Sequence, residues 1–194
     1  MQIAIIDYGA GNTKSLQFAL ERLGVQGVLT DNPDVICSAD KVIFPGQGAA
    51  QSAMEKLKAQ QLDHLIPRLK QPVLGICLGM QLLCNTTEEG NVNGLGIISG
   101  TVKRFSNRVK VPQMGWNSIH DLKSSLFETI TEGDYMYLVH SYYVPILPET
   151  IACSNYDGAY SVALQKDNFY GVQFHPEKSS KAGQQLLKNF LNLP

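Results

Sequence analysis

The run PVLGICLGMQLLC, residues 72–84, places a cysteine between two glycines where an apolar, strand-length segment gives way to a helix-forming one. This Gly-x-Cys-x-Gly arrangement has the form of a nucleophile elbow, with sulfur in the place of a serine hydroxyl. A sharp turn holds the reactive side chain out of the sheet, and the glycines let neighbouring backbone approach. The helix that follows points its N-terminus at the sulfur, which favours the thiolate. The backbone N–H of Leu78 then faces a developing oxyanion. The competing reading of Cys77 is a small packed hydrophobe, the usual state of a free cysteine. Cys84 has no glycine frame and reads as core on a further turn of the same helix.

An elbow of this kind needs a parallel strand with a helix behind it, and the rest of the N-terminal half supplies the pattern. Strands are expected at Gln2–Ile6, Lys41–Phe44 and Pro72–Ile76. A helix through KSLQFALERLG is expected to be capped by Asn12 and stopped by Gly24. Residues 49–70 read as mostly helical, and another helix should begin at Leu78. Alternating strands and helices with short links predict a parallel sheet covered on both faces. In the second half, TVKRF, YMYLVHSYYV, IACSNY, SVALQ and FYGVQF are strand-like, and KAGQQLLKNFL closes as a helix. The expectation is one α/β domain over residues 1–194, a three-layer sandwich with a mixed, mostly parallel central sheet.

The bulk properties narrow the function classes. A net charge of −1 without a basic block argues against nucleic acid as the main partner. No apolar run approaches the roughly 20 residues needed to span a bilayer, and MQIAII lacks the features of a secretory leader. The four cysteines show no C-x-x-C spacing and read as free thiols of a reducing cytoplasm. GAGNTKS offers Gly9 and Gly11 after a strand, but Lys14 stands where a dinucleotide fingerprint has its third glycine, and the P-loop spacing is absent.

A cysteine nucleophile needs a base. Of the four histidines, His64 lies in a polar helix and reads as surface, His120 has no evident partner, and His140 reads as a strand-end histidine. His175 differs. GVQFHPE is an apolar strand that delivers a histidine to its end, with Glu177 two residues on. Pro176 biases His175 toward extended backbone, and in extended chain Glu177 shares its side. The acid then holds one ring nitrogen while the other faces a thiol, a triad in the order Cys, His, Glu. FPGQG (Phe44–Gly48) ends a strand beside the elbow. With Gly46 and Gly48 flanking Gln47, its backbone offers a second oxyanion donor, on a peptide free to turn over. The alternative is an ordinary strand-to-helix turn.

PGQG, GICLGMQ and FHPE, in this order and over nearly the whole chain, resemble the class I, triad-type glutamine amidotransferases. DYGAGN, VPQMGWN and LVHSYY narrow the resemblance to the glutaminase subunits of imidazole glycerol phosphate synthase, in histidine biosynthesis. Sister glutaminases of the anthranilate synthase type carry CLGHQ where this chain has Met80, and the vitamin B6 type carries GGES in place of PGQG. The resemblance implies that Cys77 attacks the glutamine amide, that His175 moves the proton and that Glu177 orients it. It implies oxyanion donors at Leu78 and Gln47, with Gln81, Ser141 and Tyr142 holding glutamine, the last two through backbone. It implies no cofactor and no metal. Ammonia released into open water would be lost, so a partner is expected. In the resembled family it is a (β/α)8-barrel cyclase in a heterodimer, which would be faced by Asn12, Trp116, Tyr137 and Lys178. Trp116, in a polar GWNS turn, fits an interface anchor. The residues themselves leave two rivals open: a cysteine hydrolase or peptidase of similar architecture, and a non-catalytic subunit that kept the fold.

Overall fold

A computed structural model describes residues 1–9 and 13–194. Strands β1 (Ile3–Ile6), β2 (Gly27–Thr30), β3 (Lys41–Gly46) and β4 (Val73–Cys77) alternate with helices α1 (Thr13–Arg22), α2 (Pro33–Ser38), α3 (Ala50–Ala59), α4 (Leu62–Leu65) and α5 (Leu78–Leu82). Then come β5 (Cys84–Thr87), β6 (Val92–Asn93), β7 (Ile98–Arg104), β8 (Gln113–Ser118), β9 (Tyr135–His140), β10 (Tyr142–Tyr143), β11 (Thr150–Asn155), β12 (Ala159–Lys166) and β13 (Phe169–Val172). Helix α6 (Ser180–Asn192) follows. No helix among the described residues is long and apolar enough to cross a membrane.

The central sheet has seven strands in the order β11-β12-β13-β4-β3-β1-β2. Its ladders from β13 through β2 are parallel, and those joining β11, β12 and β13 are antiparallel. Both faces are buried, as a helix-covered parallel sheet requires. Alternation along β1 divides the core in two: Ile3 and Ile5 pack with Leu16 and Leu20 of α1 and with Leu186, Leu187 and Phe190 of α6. Ala4 and Ile6 pack with Ile36, Met54, Leu57 and Leu62 on the opposite face. The result is the expected three-layer α/β sandwich. A four-stranded sheet, β10-β7-β5-β6, and a two-stranded ribbon, β8-β9, are added at the C-terminal side of the elbow sequence.

Helix α1 ends as its glycine dictates. Gly24 has φ +78°, its N–H donates to the Glu21 carbonyl, and the Val25 N–H reaches back to Leu20. This is the paired closure of a Schellman motif. The capping role expected of Asn12 lies outside the described residues.

Four local expectations are corrected. Between Gly24 and Lys41 the chain forms β2 and α2, which the sequence pattern does not announce. β2 is an edge strand with Val28 and Leu29 exposed, so it lacks an apolar signature. Helix α2 is short, started by Pro33 with the Asn32 carboxamide oxygen accepting from the Asp34 and Val35 N–H groups. Helix α5 has only five residues, and Cys84 sits on β5 rather than a later helical turn; it is nonetheless fully buried, as expected of core. GWNS is strand, paired residue for residue with β9, and not a turn. YMYLVHSYYV is broken at Ser141, with β9 pairing β8 and β10 pairing β7.

Candidate active site

Cys77 ends β4 with φ 55° and ψ −110°, a conformation that L residues rarely adopt. The glycine frame permits the close backbone packing around it. A Cβ at Gly79 would collide with the Phe44 carbonyl, and one at Gly75 would come within 2.9 Å of the Gly79 backbone. Strand β3 lies alongside, with Gly46 opposite Cys77 in the ladder. Helix α5 is too short for a full macrodipole. The N–H groups of its first turn, beginning at Leu78, have no partner within the helix.

His175 follows β13 and is pinned to the ribbon: its N–H donates to the Tyr137 carbonyl at 2.9 Å, and its own carbonyl accepts from Ser179 Oγ at 2.7 Å. Its Nδ1 lies 2.9 Å from Glu177 Oε1, and both side chains are almost wholly buried. The backbone that achieves this is not the extended chain expected. Residues Pro176–Lys178 form a 3-10 turn, and the turn carries the carboxylate back under the ring. With Nδ1 on Glu177, Nε2 is left for the Cys77 side chain, which lines the same cavity as His175. Burial alone would lower the imidazole. Interaction with Cys77 and with the Glu177 carboxylate outweighs it and pushes the group up to about 10.

Cys77 and His175 line a cavity of about 420 Å³, together with Gln47, Gly48, Leu78, Gln81, Ser141, Tyr142 and Lys178. The residues expected to contact substrate or oxyanion therefore share one wall system, with one exception. Gly46 lies in β3 behind it, lining a crevice with Gln47, His175 and Glu177. A Cβ on Gly46 would fall 2.7 Å from Tyr8 Oη and 2.8 Å from the Gly79 nitrogen. Its lack of a side chain thus answers first to packing, whereas Gly48, at φ +97°, is the residue that needs glycine for its backbone angle.

Trp116 and Tyr137 face each other across the β8-β9 ribbon, ring centroids 6.0 Å apart. Trp116 is 50% exposed, and Met114 and Tyr135 beside it are also exposed. Val139, opposite Met114, lines the cavity. Asn12 lies outside the described residues.

Several neighbours of the triad carry no signal in the sequence. Gln173, fully buried in what reads as apolar strand, donates from Nε2 to Cys77 Sγ at 3.7 Å. Tyr8, buried, donates to the Pro45 carbonyl at 2.9 Å, and burial together with the Cys77 charge raises its phenol. Glu89 Oε2 accepts the Ala50 N–H at the start of α3, a cap supplied from 39 residues away. His140 is more than a strand-end histidine: it is buried at the cavity, Nδ1 lies 2.7 Å from the Tyr142 carbonyl, and burial lowers its ring to about 4. His120, expected to lack a partner, has Ser118 Oγ 2.9 Å from its ring, on the exposed surface. His64 is 78% exposed, as expected.

A glycine-framed thiol, an imidazole on it and a carboxylate behind the imidazole can form and hydrolyse an acyl–sulfur bond. The glutamine amidotransferase class-I family model matches residues 4–193. The chain belongs to the class I glutamine amidotransferases. Similar relatives of this amidotransferase over the full length of both chains are the proteins named imidazole glycerol phosphate synthase subunit HisH from Bacteroides fragilis, at 55% identity, and Escherichia coli K12, at 47%. Among solved structures, the amidotransferase fold is shared with one described as a glutamine amidotransferase, at TM-score 0.77 and 15% identity, covering 98% of this chain and 97% of the other. A glutamine amidotransferase from Thermotoga maritima gives TM-score 0.68 at 16% identity, covering 99% of this chain and 83% of the other.

Proposed function

We propose that this chain is the glutaminase subunit of imidazole glycerol phosphate synthase and works in histidine biosynthesis in the cytoplasm. The observation that carries the reading is the Cys77–His175–Glu177 constellation at an elbow, in a chain 55% identical over its full length to a HisH subunit.

The geometry supports the following course. His175 takes the Cys77 proton and the sulfur adds to the side-chain amide carbon of glutamine. The tetrahedral oxyanion is met by the Leu78 N–H and, when the Gly46–Gln47 peptide points inward, by the Gln47 N–H. The C–N bond breaks as His175 returns the proton to the departing nitrogen, leaving ammonia and a Cys77 thioester. Water, deprotonated by His175, attacks the thioester; glutamate leaves and the thiol is restored. Gln81 and the backbone of Ser141 and Tyr142 hold the amino-acid end.

The ammonia goes to a partner, which we infer to be a (β/α)8-barrel cyclase that converts its phosphorylated acceptor to imidazole glycerol phosphate and an aminoimidazole carboxamide ribotide. The exposed Met114–Trp116–Tyr135 face begins at the cavity rim and supports docking there. Lys178 lines the cavity and is exposed at the same end.

The test compares the assembled synthase with its Cys77→Ala form. The variant should lose glutamine-driven synthesis and keep synthesis from ammonium salts at raised pH. A glutamine-analogue electrophile should label Cys77 and be blocked by glutamine. Labelling that ignores glutamine would favour a hydrolase of other substrates, and retained glutaminase rate in Cys77→Ala would overturn the nucleophile.

A further inference from the structure

We propose that Gln173 is a polarity-locked donor to the nucleophile: its side-chain amide holds an N–H on the Cys77 sulfur, and the Tyr142 carbonyl, acting through Gln81, dictates that orientation. The lock begins at a group that cannot change its role. A backbone carbonyl only accepts. The Gln81 atom 2.9 Å from the Tyr142 oxygen must therefore be the amide nitrogen. That same nitrogen lies 2.8 Å from one polar atom of Gln173, which must then be its oxygen, Oε1. The other end of the Gln173 amide is left as Nε2, and it lies 3.7 Å from Cys77 Sγ. Each carboxamide has one donor end and one acceptor end, so fixing the first fixes the last.

The alternative orientation is closed off by burial. Gln173 is fully buried and Gln81 nearly so, and a reversed Gln173 would set two amide nitrogens against each other with no solvent to relieve them. His140 reinforces the lock from the other side. Its Nδ1 lies 2.7 Å from the same Tyr142 oxygen, and a ring whose partner is a carbonyl must donate there. The Tyr142 carbonyl thus carries two donors, one of which sets the Gln81 amide.

The consequence falls on the sulfur. In the thiol form Cys77 has the Val139 carbonyl 3.8 Å away as an acceptor for its S–H. That acceptor favours the protonated state, and the Gln173 N–H favours the thiolate. The other titratable or charged groups around the sulfur are His175, which shares its cavity; Tyr8, coupled to it by charge; Glu177 and His140, which face His175; and Glu89 and Lys178 on the cavity wall. Gln173 donates to the sulfur and has no proton of its own to lose. Its N–H is therefore available to the sulfur in every protonation state of the triad and is worth most to the thiolate.

This inference rests on Cys77 being the nucleophile, and its test reads the sulfur directly. Alkylation of Cys77 by iodoacetamide is followed across pH by mass spectrometry of the Cys77 peptide, for the parent, Gln173→Met and Gln173→Glu. In Gln173→Met the midpoint should rise by about one pH unit, which is roughly a tenfold slower alkylation below it. Gln173→Glu still accepts from Gln81 but turns an oxygen to the sulfur, so its midpoint should rise further. A role in packing alone predicts no such order. A folded Gln173→Met protein with the parent midpoint overturns the proposal. Should the variants fail to fold, the parent decides: its Gln173 side-chain amide resonance should move with the Cys77 titration and lose that movement in Cys77→Ala. An amide resonance that ignores the Cys77 titration overturns the proposal equally. Absence of glutamine hydrolysis would count against the proposed function and leave both readouts intact.

Discussion

His175 Nδ1 rests 2.9 Å from one oxygen of Glu177, while the second oxygen of that carboxylate, Oε2, is buried with no hydrogen-bond partner among the described residues. The carboxylate is thus committed to a single contact. Glu177→Gln keeps an acceptor for the ring and removes the charge opposite it. In the assembled synthase, kcat for glutamine hydrolysis should fall about 10²–10⁴-fold with KM little changed, since Glu177 does not line the main cavity. Steady-state kinetics check this, and a variant within a few-fold of the parent kcat would remove Glu177 from the mechanism.

The two buried histidines should leave opposite marks on stability. His175 is raised from 6.5 to about 10, against burial, by its interactions with Cys77 and Glu177. A raised group stabilises the fold fully below its unfolded value and loses that contribution as pH climbs toward its folded one. His140 is lowered from 6.5 to about 4 by burial, so its contribution is complete above the unfolded value and is lost as pH falls. The Tm advantage of the parent over His175→Asn should therefore shrink between about pH 6.5 and 10. Its advantage over His140→Asn should shrink from about pH 6.5 down to 4. Thermal melts across pH test both, and curves that stay parallel in either window would contradict that assignment.

The elbow stores strain that one substitution can release. Cys77 sits at φ 55° and ψ −110°, where non-glycine residues cost of order 1–3 kcal/mol. Cys77→Ala and Cys77→Gly should both be inactive, but the glycine form should be the more stable of the two, by about 1 kcal/mol after its extra chain entropy is subtracted. Denaturant unfolding of the two variants measures the difference. An alanine form as stable as the glycine form would mean that the turn is not strained.

What could be read from the chain, and what could not, follows from how local each signal is. Gly75, Cys77 and Gly79 were legible because backbone collision forbids side chains at the two glycines, and that constraint spans five residues. The His175–Glu177 pair was legible from spacing, although the 3-10 turn, not extended chain, brings the two together. Strand β2 was not, because an edge strand with Val28 and Leu29 exposed has no alternating pattern to show. Strand β8 was not, because Gly115 and Asn117 read as turn residues and only pairing with β9 makes them strand. Gln173 stayed hidden for a different reason. A lone amide in an apolar run gains meaning only when Gln81 and Tyr142, far away in sequence, are folded against it.

Trp116 offers a test of the partner reading that leaves the fold alone. Its ring is 50% exposed, and its aromatic neighbour is Tyr137, met edge-on at 6.0 Å. Such a pair adds about 0.5–1.5 kcal/mol at most, and half of the indole is already in water. Trp116→Ala should therefore shift the melting temperature of the free chain only slightly. In a complex docked over the cavity, Trp116 would be covered together with Met114 and Tyr135, and large aromatic anchors at interface centres are worth about 2 kcal/mol or more. Converted at about 1.4 kcal/mol per decade, that is roughly a 30-fold weaker Kd for the cyclase. Titration calorimetry of parent and variant chains against the cyclase separates the two effects. A variant that melts like the parent and binds like the parent would move the docking face away from the β8-β9 ribbon.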